Sequence, residues 1–236
     1  MGKGNAGKGN AGNGNAGNGN AAHDKTLDPG QLDQLILRAR GGDSDALGAV
    51  YGHYRPRLEH MVRLRMDRRL TGRFDASDVL QETFLEVTRR FPKYAKDPQM
   101  PLFLWLHYLT GQRLLQLHRQ HLGAQMRDAS LEISIDGGRA AMAASSLCLA
   151  EQLAGSFTSP SQVAIREETR NQIEESLNAL APIDREVIAL RHLEQFSNDD
   201  VAALLGLSKA AASNRYIRAL RRMKEQLGDL SSSTTF

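Results

Sequence analysis

Six basic residues and no acidic residue lie between positions 209 and 224, where the apolar spacing is typical of a helix. They are Lys209, Arg215, Arg218, Arg221, Arg222 and Lys224. Intervals of three and four place several of the arginines on one side of that helix. The later arginines suit phosphate contacts, whereas Lys209, Ser213 and Asn214 near its start suit contacts with base edges. The pattern therefore predicts a surface that binds nucleic acid.

The residues just before this helix predict a second, shorter helix and a tight turn. Ser197 can cap the short helix, Gly206 permits a turn with positive φ, and Ser208 can cap the next helix. Ile217 and Leu220 are predicted to face inward, together with Leu227. Two short helices joined in this way are typical of a helix-turn-helix, which fits the major groove of DNA. A solvated basic face on an ordinary helical bundle is the alternative interpretation.

A second stretch, 75–85, carries carboxylates on one helical face and apolar side chains on the opposite face. The polar face holds Asp75, Asp78 and Glu82, with Gln81 adjacent. Such a face repels phosphate, so we interpret it as a docking surface for a basic protein partner rather than as a merely solvated surface. No convergent histidine or nucleophile accompanies these carboxylates, so we predict no catalytic residues.

A third stretch, 103–119, is rich in aromatic and amide side chains. One helical stripe combines Tyr108, Gln112, Gln116 and Arg119. An exposed tyrosine with amides and cations, with Arg113 and His118 nearby, can hold single-stranded DNA by stacking and phosphate contact. Trp105 is predicted to lie in the core. His118 and His121 lie three residues apart without a further ligand, so neither a metal site nor a cofactor is predicted.

Composition limits the remaining possibilities. The net charge of +3 at pH 7 favours a polyanionic partner only mildly. A single cysteine, Cys148, and an N-terminus without an apolar signal segment suit a cytoplasmic protein. No apolar run approaches the roughly 18 residues of a membrane span. Residues 2–8 fit the spacing of a phosphate-binding loop, but Gly9 stands where Ser or Thr is needed, so we interpret the match as chance.

Helical periodicity predicts an all-α chain of two small helical domains joined by a flexible linker. A Gly/Asn-rich tail, 1–26, is predicted to be disordered, and the first domain covers 27–123. In that domain Pro92 is predicted to end one helix and Pro101 to begin the next. The linker covers 124–162, with a short helix near 145–153 and no convincing strand. The second domain covers 163–228, and a polar tail covers 229–236.

The three stretches in this order resemble the bacterial sigma factors of the extracytoplasmic-function (ECF) type. The resemblance covers about 28–123 and 163–227. It implies a promoter-specificity subunit of RNA polymerase that makes and breaks no bond, with core polymerase and promoter DNA as partners and an anti-sigma factor as a further candidate.

The resemblance also implies roles for particular residues. Contacts with the clamp helices of the β′ subunit are implied for Asp75, Asp78, Gln81, Glu82 and Leu85. Contacts with the −10 element are implied for Lys93, Tyr94, Tyr108, Gln112, Arg113, Gln116 and Arg119. Contacts with the −35 element are implied for Lys209, Ser213, Asn214, Arg215, Arg218, Arg221 and Arg222. The C-terminal unit is also expected to touch the β flap.

Two other functions fit part of the chain. A helix-turn-helix activator or repressor would bind duplex DNA alone and would not need the acidic helix. A nucleotide-dependent hydrolase would need the N-terminal glycines, so deletion of residues 2–22 would abolish its activity.

Overall fold

The structure is a computed structural model that describes residues 27–67, 69–122, 132–135, 139–142, 146–157 and 163–233. The predicted tail 1–26 lies outside these ranges. The elements in chain order are α1 Pro29–Arg40, α2 Ser44–Arg65, α3 Ala76–Lys96, α4 Leu102–Leu122, β1 Glu132–Ile135, β2 Arg139–Met142, α5 Ser146–Phe157, α6 Val163–Asn178, α7 Pro182–Ile188, α8 Asn198–Leu205 and α9 Lys209–Ser233. A π-helical turn, Ala189–Leu193, continues directly from α7. The helical class predicted from the periodicity is confirmed.

The first four helices form a bundle around one apolar core. Each of α1, α2 and α3 begins at an aspartate whose carboxylate accepts a backbone N–H of the first turn: Asp28, Asp43 and Asp75. Leu58, Leu80 and Leu114 come from different helices of the bundle and are fully buried. The Tyr51 hydroxyl donates to the Leu80 carbonyl at 2.8 Å, which joins α2 to α3 by a buried polar contact.

Helix α3 does not end at Pro92, as the sequence had predicted, but continues to Lys96. Phe91 and Tyr94 are both buried, so the helical spacing on either side of Pro92 serves the same core. Proline in a helix interior costs about 3 kcal/mol. Pro92 lies on the exposed side, where water can satisfy the carbonyl that lacks an N–H partner. Core packing therefore outweighs the local preference of proline.

The predicted linker contains regular structure. β1 and β2 pair antiparallel with Ile133 opposite Ala141, so the expectation of no strand was wrong for this segment. Gly137-Gly138 between them, which the sequence analysis interpreted as flexible, lies outside the described residues. Helix α5 lies where a short helix was predicted, and it packs against α6 and α2.

The C-terminal helices enclose a second core. It is formed by α5, α6 and α9 with the π-helical turn, and it includes Leu149, Leu177 and Ala219. Helix α9 runs to Ser233, beyond the predicted beginning of the polar tail. Apolar side chains of α7 and α8 join the first core, so the two units are packed together. Within the described ranges no helix combines the length and hydropathy needed to cross a membrane.

Candidate nucleic-acid interface

The helix-turn-helix forms from the three residues that the sequence singled out. The Ser197 hydroxyl accepts the Asp200 N–H at 3.1 Å, and the Ser208 hydroxyl accepts the Ala211 N–H at 3.1 Å, so both predicted caps are confirmed. Gly206 has φ 65° and ψ 31°, which is the left-handed conformation predicted for the turn. These contacts set the direction in which α9 leaves α8.

We expect Gly206→Ala to destabilise the protein by about 1–2 kcal/mol, because a Cβ is strained in the left-handed conformation. Gly48→Ala is the matched control, since Gly48 lies inside α2 and a Cβ added there would meet only open space. There alanine should stabilise the helix by about 0.5–1 kcal/mol. Urea unfolding followed by circular dichroism measures both changes, and equal effects of the two variants would contradict this account of the turn.

The basic face of α9 is largely open to solvent. Exposed side chains are those of Lys209, Asn214, Arg218, Arg221 and Arg222, and Ser213 is half-buried. The Lys209 ammonium lies 2.6 Å from the Asp199 carboxylate of α8. Arg215 points the other way, and its guanidinium donates to the buried Asp184 carboxylate at 2.8 Å. Arg215 thus joins α9 to α7 by an ion pair, whereas the side chains of Arg218, Arg221 and Arg222 are exposed to solvent.

The predicted inner face of α9 was wrong in two positions. Ile217 and Leu220 are 51% and 37% exposed. Leu227 packs inward as predicted, together with Ala212, Tyr216, Ala219 and Met223. Two of these residues, Ala212 and Ala219, are fully buried, and an argument based only on large apolar residues could not find them.

The acidic helix α3 begins with a reciprocal cap. The Asp75 carboxylate accepts the Asp78 N–H at 2.9 Å, and the Asp78 carboxylate accepts the Asp75 N–H at 2.9 Å. These two predicted docking residues therefore also define where the helix starts. Gln81, Glu82 and Leu85 follow on the exposed face, and Leu85 is 57% exposed. An apolar side chain left in water beside polar neighbours is typical of a contact surface.

Glu82 connects the two predicted surfaces. Its carboxylate forms an ion pair with the guanidinium of Arg113 on α4. Arg113 also donates to the Gln116 side chain at 3.0 Å. A residue predicted to contact polymerase and a residue predicted to contact the −10 element are thus direct neighbours across the groove between α3 and α4.

The tyrosines of the predicted −10 surface are less accessible than the sequence had suggested. Tyr108 was expected to be exposed, but it is buried and hydrogen-bonds to Gln112. The longer helix α3 buries Tyr94, whose hydroxyl donates to the Met100 carbonyl and whose ring stacks on Trp105 at 4.5 Å between centroids. Burial also raises the pKa of Tyr94. Lys93, Gln116 and Arg119 are exposed.

His118 is also buried, so it does not lie beside the exposed stripe as predicted. Its Nε2 accepts the Asp67 N–H at 3.4 Å, which requires an unprotonated nitrogen. Burial is the main reason why the pKa of His118 is lowered to about 4. The imidazole is therefore a neutral member of the core between α4 and the segment after α2.

A buried ionic cluster between the two units was missed by the sequence analysis. We call it the junction cluster, and it consists of Arg65, His107, Glu186 and Glu194. Burial would raise the pKa of Glu194, but the charges of Arg65 and His107 outweigh this effect and lower the pKa to about 2. Arg65 is the last residue of α2, and no sequence signal marked it as a buried cation.

No group of three or more His, Cys, Asp and Glu residues in the described ranges is arranged to hold a metal ion. The thiol of Cys148 is buried, and its sulfur lies 3.7 Å from the Met66 carbonyl oxygen. The surfaces with exposed cations and amides are therefore the chemically distinctive parts of the described chain.

Comparisons with known proteins agree with this geometry. The family model "Sigma-70, region 4" matches residues 170–223, which span most of α6 to α9. The chain is 27% identical over 205 residues to the ECF RNA polymerase sigma factor SigD of Mycobacterium tuberculosis, covering 86% of each protein. It is 29% identical over 195 residues to the RNA polymerase sigma factor CarQ of Myxococcus xanthus, covering 82% of this chain and 95% of that protein.

Among solved structures, CnrH in complex with the cytosolic domain of CnrY aligns with 83% of this chain and 96% of that chain, at a TM-score of 0.49 and 21% identity. The sequence relatives cover both units, and the family model covers the helix-turn-helix whose caps and turn are described above. The family model thus identifies a sigma-70 region 4 domain at residues 170–223, and together with the relatives it supports an ECF-type RNA polymerase sigma factor that confers promoter specificity at transcription initiation.

Proposed function

We propose that three separate surfaces of this chain divide the work of promoter recognition. The exposed face of α3 binds core polymerase, the exposed polar residues of α3 and α4 contact the −10 element, and α9 reads the −35 duplex. The observation that carries the proposal is the open basic face of α9 beside a well-formed turn, with an exposed apolar residue on α3 in the other unit.

The −35 contact follows from the placement of the cations on α9. Lys209, Ser213 and Asn214 occupy the beginning of the helix, which is the part that reaches base edges when a recognition helix enters the major groove. Arg218, Arg221 and Arg222 lie further along the same helix, where they can contact phosphate groups. Phosphate contacts set the register of the helix, and the early residues then select the sequence.

The −10 contact is proposed for a smaller set than the resemblance implied. Lys93, Gln116 and Arg119 are exposed and supply two cations and an amide. Gln112 and Arg113 are half-buried beside them. Tyr94 and Tyr108 are buried beneath this surface, so neither ring is exposed for stacking on a base. Tyr94 packs on Trp105, and Tyr108 hydrogen-bonds to Gln112.

The proposal is tested by transcription with purified core polymerase on a library of genomic fragments, followed by mapping of the start sites. We expect initiation at a limited set of promoters that share −10 and −35 elements. Binding of the chain to duplex DNA in the absence of polymerase, without any initiation in its presence, would instead identify an ordinary helix-turn-helix regulator. An anti-sigma factor remains a predicted partner, and co-purification from cells is the measurement that finds it.

We expect Arg218→Ala and Arg215→Ala to have different consequences. Arg218 is exposed, so its loss should weaken −35 binding roughly three- to tenfold and reduce the salt slope of binding by about one unit, without changing stability. Loss of Arg215 leaves the buried Asp184 carboxylate without this partner and should destabilise the protein by about 1–3 kcal/mol. Fluorescence anisotropy over a salt series, with thermal unfolding of each variant, separates the two roles. Identical behaviour of the variants would rule out this assignment.

A further inference from the structure

Two large apolar side chains lie in water on the helix that we propose to read the −35 duplex. Ile217 is 51% exposed and Leu220 is 37% exposed, and among the large apolar residues of the described ranges only Leu37 and Leu85 share this property. A single exposed apolar side chain is common on protein surfaces and carries no argument by itself. The position on α9 matters here, because a side chain on this face meets whatever the helix binds.

Ile217 lies on the side of α9 that holds the proposed base contacts. It follows Ser213 by four residues and Asn214 by three, so the three side chains share one face of the helix. Ala212 and Ala219 are fully buried and occupy the opposite side. Side chains in a helix incline toward its N-terminus, so Ile217 extends over the turn that carries Ser213 and Asn214. Ile217 therefore adds an apolar group to their polar surface.

Side chains of neighbouring elements hold the first turns of α9 in place. The Asn198 amide of α8 donates to the Lys209 carbonyl at 2.9 Å, and its Oδ1 accepts a hydrogen bond from the Arg191 guanidinium at 3.0 Å. The Arg191 guanidinium carbon also lies 4.7 Å from the centroid of the Tyr216 ring. Tyr216 precedes Ile217 in the chain, so these contacts fix the backbone that carries Ile217. A fixed contact surface loses less conformational freedom when it binds.

The major groove of DNA offers one good partner to an aliphatic side chain. Base edges there present hydrogen-bond donors and acceptors, and thymine alone adds an apolar group, its C5 methyl. Ile217 has no donor or acceptor in its side chain, so a polar base edge beside it would lose its hydration without a partner. Contact with a methyl group instead removes apolar surface of both groups from water. A thymine methyl is therefore the base feature that Ile217 contacts most favourably.

We propose that Ile217 contacts the C5 methyl group of a thymine in the −35 duplex and thereby selects a T·A pair at one position. The inference rests on the proposed function of α9 and deepens it, because it names a base and the residue that reads it. Along the helix axis Ile217 lies about 6 Å beyond Ser213, which is roughly two base-pair steps. Leu220 lies a further turn along α9, where the proposed contacts are with phosphate groups.

Deoxyuridine tests the contact directly, because it differs from thymidine only by the absence of this methyl group. The full chain bound to core polymerase selects duplexes from a random-sequence pool, and each thymine of the selected sequence is then replaced in turn. We expect replacement at one preferred thymine to weaken binding about three- to fivefold in a manner that requires Ile217. Fluorescence anisotropy measures the affinity for each duplex. Equal affinities for all thymine and deoxyuridine duplexes would overturn the proposal.

The dependence on Ile217 is tested by Ile217→Ala. We expect the difference between thymine and deoxyuridine at the preferred position to fall below about 1.5-fold, with an unchanged salt slope because no charge is lost. Leu220→Ala is the matched control, because it removes an exposed apolar side chain from the same helix and should retain the difference. Alanine is the best helix former, so both variants should fold, which circular dichroism verifies. Loss of the difference in both variants, or in neither, contradicts the assignment.

The outcomes separate this inference from the proposed function and from a protein contact. Initiation without any Ile217-dependent methyl effect overturns the inference alone. If no initiation occurs with core polymerase, the proposed function fails, and the same replacements are made in duplexes selected by the full chain alone. A methyl effect that requires Ile217 then still supports the contact, whereas failure to select any duplex overturns it. Weaker binding of Ile217→Ala to core polymerase without DNA, with an unchanged methyl effect, would assign Ile217 to a protein partner instead.

Discussion

Leu85→Asp is expected to abolish stable binding to core polymerase, with a loss of roughly 30- to 1,000-fold in affinity. Leu85 is exposed on α3 beside Gln81 and Glu82, and a large apolar side chain in such a position contributes strongly once a partner covers it. A carboxylate there would have to lose its hydration without a matching partner. Binding to immobilised core polymerase, with transcription measured in parallel, gives the affinity and its functional consequence.

Leu37→Asp is the matched control for this prediction. Leu37 on α1 is 70% exposed, so the same chemical change is made on a different face of the same bundle. Both variants should unfold at the temperature of the unmodified chain. Equal losses of polymerase binding in both variants would show that the effect is a general response to added charge, and Leu85 would lose its assignment.

Leu85 is a better probe of docking than the aspartates at the start of α3. Asp75 and Asp78 cap the helix reciprocally, so charge reversal at Asp78 would remove a cap worth about 1 kcal/mol. A loss of binding in such a variant would mix partner contact with fraying of the helix. Substitution of Leu85 leaves both caps intact.

His118→Gln is expected to reduce the loss of stability that occurs when the pH falls from 7 to 4. The folded chain lowers the pKa of His118 to about 4, so between that value and the ordinary value of 6.5 the unfolded chain binds a proton that the folded chain does not. Stability from this group is complete above the ordinary value and falls as the pH decreases toward 4. The integrated loss is about 3 kcal/mol.

Glutamine is chosen because its side-chain oxygen can accept the Asp67 N–H and does not titrate in this range. Urea unfolding at several pH values measures the slope for both proteins. The control is His60→Gln, because His60 is exposed on α2, and its variant should retain the pH dependence of the unmodified chain. A slope that persists in His118→Gln would assign the acid sensitivity to other groups.

The local signals in the sequence identified most of the helices and the turn. Ser197, Gly206 and Ser208 act through contacts within a few residues, so their roles are readable from spacing alone. Ser213, Asn214 and Arg218 follow from the same register, and their binding roles remain predictions. Periodicity also predicted the bundle, because its core residues recur at helical intervals.

The features that the sequence did not predict depend on contacts between distant segments. Arg65 meets Glu186 and Glu194 across more than a hundred residues of chain, and nothing near Arg65 indicates a buried partner. Pro92 continues a helix because Phe91 and Tyr94 pack in the core on either side of it. Ile217 was predicted to face the core but is exposed, whereas the small side chains of Ala212 and Ala219 on the same helix are fully buried.

The ion pair between Glu82 and Arg113 has a consequence for genetics. A genetic screen for variants that bind core polymerase poorly should also yield variants with altered promoter choice. Substitution of either Glu82 or Arg113 removes the ion-pair partner of the other side chain. An exchange of the two charges, Glu82→Arg with Arg113→Glu, should restore their mutual attraction. It would also present a charge of the wrong sign to polymerase and to the −10 element, the partners proposed for these two surfaces. Defects that remain in this double variant would measure what the two charges contribute to contacts with polymerase and with promoter DNA.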